Sequence, residues 1–162
     1  MILIGMLDSP YVRRCAVSMK LMEVPFEHRS VSVFRHFDEF RAINPVVKAP
    51  SLVCDDGTVL MDSTLIVDYL EHVVAPHKRL MPAAAAERVE ALRLVGLALA
   101  ACEKCVQIVY EKEQRPADKR HDPWRLRVEG QANAAFGVLE RAAEKPDPRT
   151  VFLKLRELRN KW

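Results

Sequence analysis

Ser9, followed by Pro10, is the first place in the chain where residue type and spacing could do chemistry. Pro10 fits the first turn of a helix, where a missing N–H costs nothing, so Ser9 would lie beside the free N–H groups of a helix start. Those groups and the helix dipole favour an anion. A thiol presented there would ionise more readily, and the thiolate is the reactive form of sulfur. Serine is also an ordinary N-cap residue, so this stretch alone leaves both roles open.

A strand and a helix have to meet at Ser9 for this placement to hold. The apolar run of residues 1–7 predicts a strand that ends in a turn. The apolar side chains that follow recur at helical spacing and predict a helix behind Ser9. These residues are Val12, Cys15/Ala16, Met19 and Met22. Residues 26–31 predict a second strand. Together these elements make a βαβ unit, whose crossover is expected to be right-handed.

The segment up to residue 75 completes a small α/β domain. A short helix over residues 36–43 ends at Asn44-Pro45, because the residue before a proline is disfavoured in a helix. Its apolar face is expected to hold Phe37, Phe40 and Ile43. Asp56-Gly57 lies between two β-rich runs and predicts a hairpin. A helix from Asp62-Ser63 to Val74 follows, with its apolar side formed by Leu65, Ile66, Tyr69, Leu70 and Val73.

The rest of the chain predicts a linker and a helical domain. Residues 76–82 are the linker, and residues 83–162 are expected to form an all-helical domain. Two helical patterns, over residues 83–114 and 123–144, lead to a last amphipathic piece at residues 150–162. The apolar positions of the second pattern are Trp124, Leu126/Val128, Ala132, Ala135/Phe136 and Leu139.

Composition and charge exclude several classes of protein. The 162 residues carry a net charge of only +3, and the basic residues of the second half alternate with acidic ones, as on solvated helix faces. A nucleic-acid groove needs a clustered basic patch with aromatic residues, so nucleic acid is not an expected partner. No secretory leader is visible, and no apolar run approaches the ~20 residues that span a bilayer. Four cysteines do not suggest a disulfide framework, so a cytoplasmic protein with reduced thiols is expected.

Two motifs in the first half carry a family resemblance. Ser9-Pro10-Tyr11-Val12 resembles the Cys-Pro-Tyr-Cys of glutaredoxins, with both cysteines replaced. Asn44-Pro45-x-x-Lys48-x-Pro50-x-Leu52, followed by Leu60-x-Asp62-Ser63-x-x-Ile66-x-x-Tyr69-Leu70, resembles the signature of glutathione S-transferases. The resemblance implies an α/β thioredoxin-like N-terminal domain (βαβαββα) over residues 1–75, then an all-α helical domain. It also implies a homodimer.

The resemblance assigns glutathione-binding roles to residues of the first domain. In the family, the residue before the loop proline offers its backbone N–H and C=O to the cysteinyl part of glutathione. That residue would be Ala49 here, with Pro50 in the cis form. Ser63 would hold the γ-glutamyl carboxylate and Asp62 the ammonium, although capping of the helix is an alternative role for both. Lys48 would pair with the glycyl carboxylate, or remain a solvated loop lysine.

Three residues compete to activate the thiol. Under the resemblance, Ser9 hydrogen-bonds the glutathione sulfur and favours its thiolate, so it is the expected catalytic residue. Tyr11, which is also expected to contact glutathione, competes because some branches of the family use a tyrosine. Cys15 is the third candidate, although a position one helical turn further in is more often core. Arg13-Arg14 predicts a solvated helix face, with an approach to an acidic co-substrate left open.

No metal site is expected from the sequence. Cys102-x-x-Cys105 lies within the long helical pattern, and no second pair completes a ligand set, so both cysteines are expected in the helical core. The five histidines show no ligand spacing.

The C-terminal region departs from the family pattern. Family members run some tens of residues longer and bury a helix that opens with a Ser/Thr-x-x-Asp capping box. Residues 147–162 contain no such box followed by an apolar run. The helical domain is therefore expected to be incomplete.

The resemblance leads to one favoured function and two alternatives. The favoured function is detoxification by a transferase, in which the glutathione thiolate attacks a hydrophobic electrophile. The second is a non-catalytic interaction module of the same fold, of the stringent starvation protein A type, since fold does not settle function. The third is a glutathione-dependent reductase or peroxidase that uses Cys15. The joint presence of Ser9, Lys48, Asp62 and Ser63 favours the transferase.

Overall fold

The computed structural model describes residues 1–144, and two compact units divide the chain, Met1–Met81 and the part from Pro82 onward. The first unit holds a four-stranded sheet and three α-helices. The strands are β1 Ile2–Ile4, β2 Glu27–Arg29, β3 Ser51–Val53 and β4 Val59–Met61. The helices are α1 Pro10–Leu21, α2 Phe37–Ile43 and α3 Ser63–Val73. This βαβαββα order confirms the predicted thioredoxin-like fold class.

The sheet brings the ends of three strands together. Its order is β2-β1-β3-β4, and β1 pairs in parallel with β2, which confirms the βαβ unit. β3 is antiparallel to both β1 and β4, and Ser51 at its start lies opposite Ile4 on one side and Met61 on the other. The segments that follow β1, precede β3 and follow β4 therefore emerge at the same end of the sheet.

Two hydrophobic clusters cover the two faces of the sheet. Leu3 and Leu52 belong to the larger cluster, whereas Ile4 belongs to the smaller one, because successive side chains of a strand point to opposite faces. The larger cluster contains Leu3, Val12, Cys15, Ala16, Met19, Met22, Leu52, Cys54, Ile66 and Leu70, and thus joins α1 and α3. The smaller contains Ile4, Val31 and Phe40, and thus places α2 on the other face.

Some side chains predicted on apolar helix faces are exposed. Phe37 of α2 is 48% exposed, and its ring lies 5.8 Å from the guanidinium carbon of Arg41. Leu65 and Val73 of α3 are 63% and 50% exposed. Helical spacing identifies an apolar face without fixing how much of it the sheet covers, so these three side chains stay exposed.

Gly5 lies where the chain passes from β1 toward α1, and its φ is +134°. A Cβ at this position would lie 2.7 Å from Val12 Cγ2 and 3.1 Å from the Cβ of Ala49. At 2.7 Å two carbon atoms clash, and 3.1 Å is a tight contact, so glycine suits this approach where a larger residue would force a shift. The same approach brings the first turn of α1 and the segment before β3 against one another.

Gly5→Ala is expected to lower the free energy of unfolding by about 1–3 kcal/mol more than Gly57→Ala does. Gly57 is a matched control, because its φ is also positive, at +85°, but a Cβ there meets no atom within 4 Å. Both substitutions lower the free energy of unfolding because alanine is strained at positive φ, and only Gly5→Ala lowers it further through the clash. Urea unfolding of the two variants measures the difference, and equal midpoints would contradict the close packing at Gly5.

The second unit is built on two helices, α4 Ala85–Glu113 and α5 Asp122–Ala143, which pack against each other. Both predicted helical patterns are confirmed. Glu111 is buried near the end of α4, where it accepts the backbone N–H of His121 at 2.9 Å and pairs with Arg115 at 2.9 Å. These contacts fasten the connection between the two helices.

The apolar face predicted for α5 is only partly buried. Its buried residues are Val128, Ala132 and Ala135, whereas Trp124, Leu126 and Phe136 are exposed. The amphipathic piece predicted over residues 150–162 and the missing capping box lie outside the described residues. Within residues 1–144, no helix combines the length and apolar character needed to cross a membrane.

Candidate functional site

Ser9 caps α1, which is one of the two roles that its sequence position left open. Its φ and ψ are −67° and 124°, and its Oγ accepts the backbone N–H of Val12 at 3.4 Å. A serine hydroxyl has one proton to donate and two lone pairs that accept, so capping occupies a lone pair and leaves the proton available. The side chain is half-buried, at the end of the sheet where β1 stops. Capping and contact with a ligand sulfur are therefore compatible roles for Ser9.

The loop before β3 contains the peptide bond between Ala49 and Pro50, which is cis, as expected. Two buried polar side chains fasten this loop. Asn44 donates its amide N–H to Ser51 Oγ at 2.9 Å, and Ser51 donates its hydroxyl to the carbonyl of Lys48 at 2.9 Å. Asn44 Oδ1 also accepts the N–H of Val46 at 3.0 Å. The sequence identified Asn44 as a helix stop and as part of the family signature, but spacing does not reveal its contact with Ser51 of β3.

Asp62 caps α3 from an unusual backbone conformation. Its φ is +73°, and its Oδ1 accepts the N–H of Thr64 at 2.9 Å. A non-glycine residue at positive φ costs on the order of 1–3 kcal/mol, and such residues cluster at functional sites. Capping alone does not require this conformation, because N-cap residues ordinarily have extended backbone.

The carboxylate of Asp62 is also paired with the Lys48 ammonium, with 3.2 Å between Oδ2 and Nζ. The hydrogen bond from the Thr64 N–H holds the pKa of the Asp62 carboxyl below its usual range; partial burial opposes the shift, and Lys48 adds to it. The pair is about half exposed on both sides, so the attraction within it is weak. An exposed pair of this kind can exchange its partners for those of a bound ligand.

Arg14 joins the start of α3 to α1, a contact the sequence did not reveal. Its Nη1 donates to Ser63 Oγ at 3.1 Å and to Thr64 Oγ1 at 3.0 Å. The prediction of a solvated face holds for Arg13, which is exposed, but is wrong for Arg14. The available signal was topological. α1 follows β1 and α3 follows β4, and both strands end at the same end of the sheet, so an early residue of one helix can reach the first turn of the other.

Cys15 is buried beneath the site, and it is a poor nucleophile there. Burial raises the pKa of its thiol to about 12; Arg14 lowers it, and Asp62 raises it further. The thiol donates to the carbonyl of Ser63 at 3.9 Å. It therefore stays protonated near neutral pH, and the sequence interpretation of Cys15 as core is confirmed.

In the folded protein, Cys15 is expected to alkylate with iodoacetamide far more slowly than Cys102 and Cys105. The latter two are half-exposed in α4, whereas Cys15 has no exposed surface. Mass spectrometry of peptides after treatment at about pH 8 measures the three rates, and denaturant is expected to remove the difference. Rapid labelling of Cys15 in the native protein would reinstate it as a candidate nucleophile.

The remaining predicted residues are distributed between the site and the second unit. Tyr11 is half-buried inside the first turn of α1, one residue beyond Pro10. Cys102 and Cys105 lie in α4, and they are half-exposed rather than in the core, which corrects the sequence interpretation. Across residues 1–144, no three His, Cys, Asp or Glu side chains come together as metal ligands could.

Sequence and structure comparisons agree on the family. The model of the glutathione S-transferase N-terminal domain matches residues 3–77, which contain all the site residues described above. A solved Pseudomonas fluorescens Pf-5 glutathione transferase family member with bound glutathione is 28% identical. It superimposes with a TM-score of 0.75 over 86% of this chain and 70% of that chain. Residues 3–77 of this chain form a glutathione S-transferase N-terminal domain. Both motifs singled out in the sequence lie within these residues.

Two curated relatives differ in name and in the share of their length that this chain covers. A protein of Escherichia coli K12 named "Uncharacterized GST-like protein YibF" is 28% identical over 85% of this chain and 67% of its own length. A Drosophila melanogaster protein named "Probable maleylacetoacetate isomerase 2" is 29% identical over 52% of this chain and 38% of its own length. This chain therefore spans about two thirds of the length of the first relative and well under half of the length of the second.

Proposed function

We propose that this chain is a glutathione transferase that conjugates the thiolate of glutathione to a hydrophobic electrophile, with no metal in the reaction. One observation carries the proposal: Ser9, the Ala49–Pro50 loop and the start of α3 at Asp62–Ser63 all emerge from the same end of the sheet. The Pseudomonas fluorescens relative, which was solved with glutathione, supports glutathione as the ligand.

Each part of glutathione has a matching group at this end of the sheet. The backbone N–H and C=O of Ala49 suit the cysteinyl residue. At the γ-glutamyl end, Ser63 suits the carboxylate and Asp62 the ammonium. Lys48 suits the glycyl carboxylate, so binding exchanges the Lys48–Asp62 pair for two ion pairs with the ligand. Because the protein's own pair is half exposed, little attraction is lost in the exchange.

The Ser9 hydroxyl supplies the chemical assistance. Its Oγ accepts the N–H of Val12, so its proton is available to donate to the glutathione sulfur. Such a donor stabilises the thiolate relative to the thiol and lowers the pKa of the ligand thiol, whose proton passes to solvent. The thiolate then forms the C–S bond. With a chlorinated aromatic acceptor the C–Cl bond breaks, and chloride leaves with the bonding electrons.

Two measurements test the proposal. The protein is expected to bind immobilised glutathione and to elute with free glutathione. With glutathione and a chlorinated aromatic acceptor, it is expected to release the thioether, identified by its mass. Folded protein that neither binds glutathione nor gives heat with millimolar glutathione in calorimetry would contradict the proposal.

The same assays separate the other candidate functions. Folding without glutathione binding would favour a non-catalytic interaction module. Binding with turnover in which glutathione is recovered unchanged would favour an isomerase, the activity in the name of the Drosophila melanogaster relative. Reduction of a disulfide or peroxide lost in Cys15→Ala would favour a reductase, but the raised pKa and burial of that thiol oppose this role.

We also propose that the protein acts as a cytoplasmic homodimer. No disulfide joins the four cysteines, all of which lie within residues 1–144, as expected of a reducing compartment. Met61, Leu65 and Val73 leave apolar surface exposed on β4 and α3, which a second copy of the chain would cover. Sedimentation equilibrium of the wild type and of Leu65→Glu tests the dimer, since a charge in that surface is expected to shift the mass toward the monomer.

A further inference from the structure

Arg14 contacts the residue expected to hold one end of glutathione. Its Nη1 bridges the side-chain oxygens of Ser63 and Thr64, at 3.1 Å and 3.0 Å. Ser63 is 4% exposed, so its hydroxyl has few partners to choose from. The residue next to Arg14, Arg13, is exposed and provides a matched position for comparison.

We propose that Arg14 is a positioning residue for the γ-glutamyl carboxylate of glutathione, and that it gives the site its preference for ligands with a free carboxylate at that end. The inference rests on the proposed function and deepens it. It assigns the recognition of this carboxylate to the Arg14–Ser63 pair rather than to the Ser63 hydroxyl alone.

The direction of the hydrogen bonds supports this role. A guanidinium only donates hydrogen bonds, so the Arg14 N–H groups occupy lone pairs of the Ser63 and Thr64 hydroxyls. Each hydroxyl proton is then left to donate elsewhere. A carboxylate only accepts hydrogen bonds, so a hydroxyl already fixed as an acceptor from Arg14 is oriented to donate to it. Donation from a charged group also polarises the hydroxyl and strengthens its outgoing bond.

The charges at this end of the sheet favour the same conclusion. Lys48 and Asp62 neutralise each other, whereas none of the Arg14 contacts within residues 1–144 is to a carboxylate. The guanidinium also lies at the start of α3, which carries the positive end of the helix dipole. The helix dipole disfavours a cation beside that end, and the Asp62 carboxylate, which caps α3, is paired with Lys48. The γ-glutamyl carboxylate adds a second anion at this helix start, next to Arg14, while Asp62 exchanges Lys48 for the ligand ammonium.

A comparison of two ligands tests the inference. The first is glutathione, and the second is its analogue with 4-aminobutanoyl in place of γ-glutamyl, which lacks only the carboxylate. Calorimetry gives the Kd of each ligand for the wild type, for the single variants Arg14→Met, Arg14→Lys, Ser63→Ala and Arg13→Met, and for Ser63→Ala combined with Arg14→Met or with Arg14→Lys. The measured quantity is the ratio of the two Kd values, which a general loosening of the site leaves unchanged.

The wild type and Arg13→Met are expected to prefer glutathione by tenfold or more, since a charge-assisted hydrogen bond is lost in the analogue. In Arg14→Met the preference is expected to fall by about tenfold. Arg14→Lys is expected to retain part of it, because a lysine keeps the charge without the planar donor fork. Arg14→Met combined with Ser63→Ala is expected to lose less than the sum of the two single losses, because the two residues act as one unit.

Three results would overturn the inference while leaving the proposed function intact. They are equal affinity of the wild type for the two ligands, an unchanged preference in Arg14→Met, and additive losses in the double variant. If Arg14→Met does not fold, Arg14→Lys replaces it. An unchanged ratio of the two Kd values in Arg14→Lys, together with additive losses when it is combined with Ser63→Ala, would also overturn the inference. If the folded wild type binds neither ligand, the proposed function fails, and the inference fails with it.

Discussion

Ser9→Ala is expected to lower kcat for conjugation by about 10²–10³-fold, while the Kd for glutathione changes by less than about threefold. The hydroxyl proton assists the sulfur as a thiolate, so its loss affects the reacting state more than the bound thiol. Glutathione keeps its contacts with Ala49, Asp62 and Ser63 in the variant. The test is steady-state turnover of a chlorinated aromatic acceptor, with the Kd measured separately by calorimetry.

The same substitution removes a helix cap, and a second variant separates the two effects. Ser9→Ala loses the acceptor for the Val12 N–H, which costs about 0.5–2 kcal/mol of stability. Glycine at an N-cap costs only a few tenths of a kcal/mol relative to serine, so Ser9→Gly removes the hydroxyl with little effect on folding. The two variants are expected to lose the same turnover and to differ in thermal midpoint.

The competing tyrosine has its own control. Tyr11→Phe removes a hydroxyl from inside the first turn of α1, one residue beyond Pro10, and is expected to change kcat by less than about threefold. If Tyr11→Phe loses the turnover and Ser9→Gly retains it, Tyr11 is the residue that activates the thiol.

The pH dependence of kcat/KM adds a further test of Ser9. In Ser9→Gly the midpoint of the rising limb is expected to move to higher pH, because the ligand thiolate has lost a hydrogen-bond donor.

The helix starts and the hairpin turn could be predicted from the sequence, because each depends on residues that are close together in the chain. Pro10 behind Ser9 marked the start of α1, Asp56-Gly57 marked the hairpin, and Asp62 marked the start of α3. Each depends on backbone preferences within a few residues, which tertiary contacts here reinforce rather than override. The motif of residues 44–70 added what local physics could not, namely that the Ala49–Pro50 bond is cis.

Contacts between distant segments could not be predicted in the same way. Arg14 reaches Ser63 and Thr64 across 49 and 50 residues of sequence, and nothing in its neighbourhood distinguishes it from Arg13. The exposure of Leu65 and Val73 was missed for a related reason. Periodicity shows that a helix has an apolar side, but the width that becomes buried depends on the surface packed against it.

Asp62→Asn is expected to raise the Kd for glutathione by about 10–150-fold with little change in stability. Asparagine is as good an N-cap as aspartate and tolerates positive φ, so it can keep the hydrogen bond from the Thr64 N–H at a φ of +73°. What the substitution removes is the negative charge that pairs with Lys48 in the free protein and, on the proposed function, with the ligand ammonium.

N-acetylglutathione makes the Asp62 prediction specific, because acetylation removes the ammonium and leaves both carboxylates. The wild type is expected to prefer glutathione over N-acetylglutathione, and Asp62→Asn is expected to bind the two with similar Kd values. Lys48→Met is the matched control, since it breaks the same ion pair but leaves the Asp62 carboxylate in place. It is expected to retain the preference for the free amine. If Lys48→Met no longer prefers glutathione over N-acetylglutathione, the preference depends on the Lys48–Asp62 ion pair rather than on the Asp62 carboxylate alone.

The pH dependence follows from the direction of the Asp62 shift. Its pKa is lowered, chiefly by the Thr64 N–H, so the carboxylate stays charged from neutral pH down through the usual range of an aspartate, about 4. The part of the affinity that depends on this charge is therefore present above that range and is lost only as the pH falls below it. The Kd ratio of N-acetylglutathione to glutathione is expected to be constant between about pH 5 and 7. A ratio that declines within that interval would mean that a group other than Asp62 recognises the ligand ammonium.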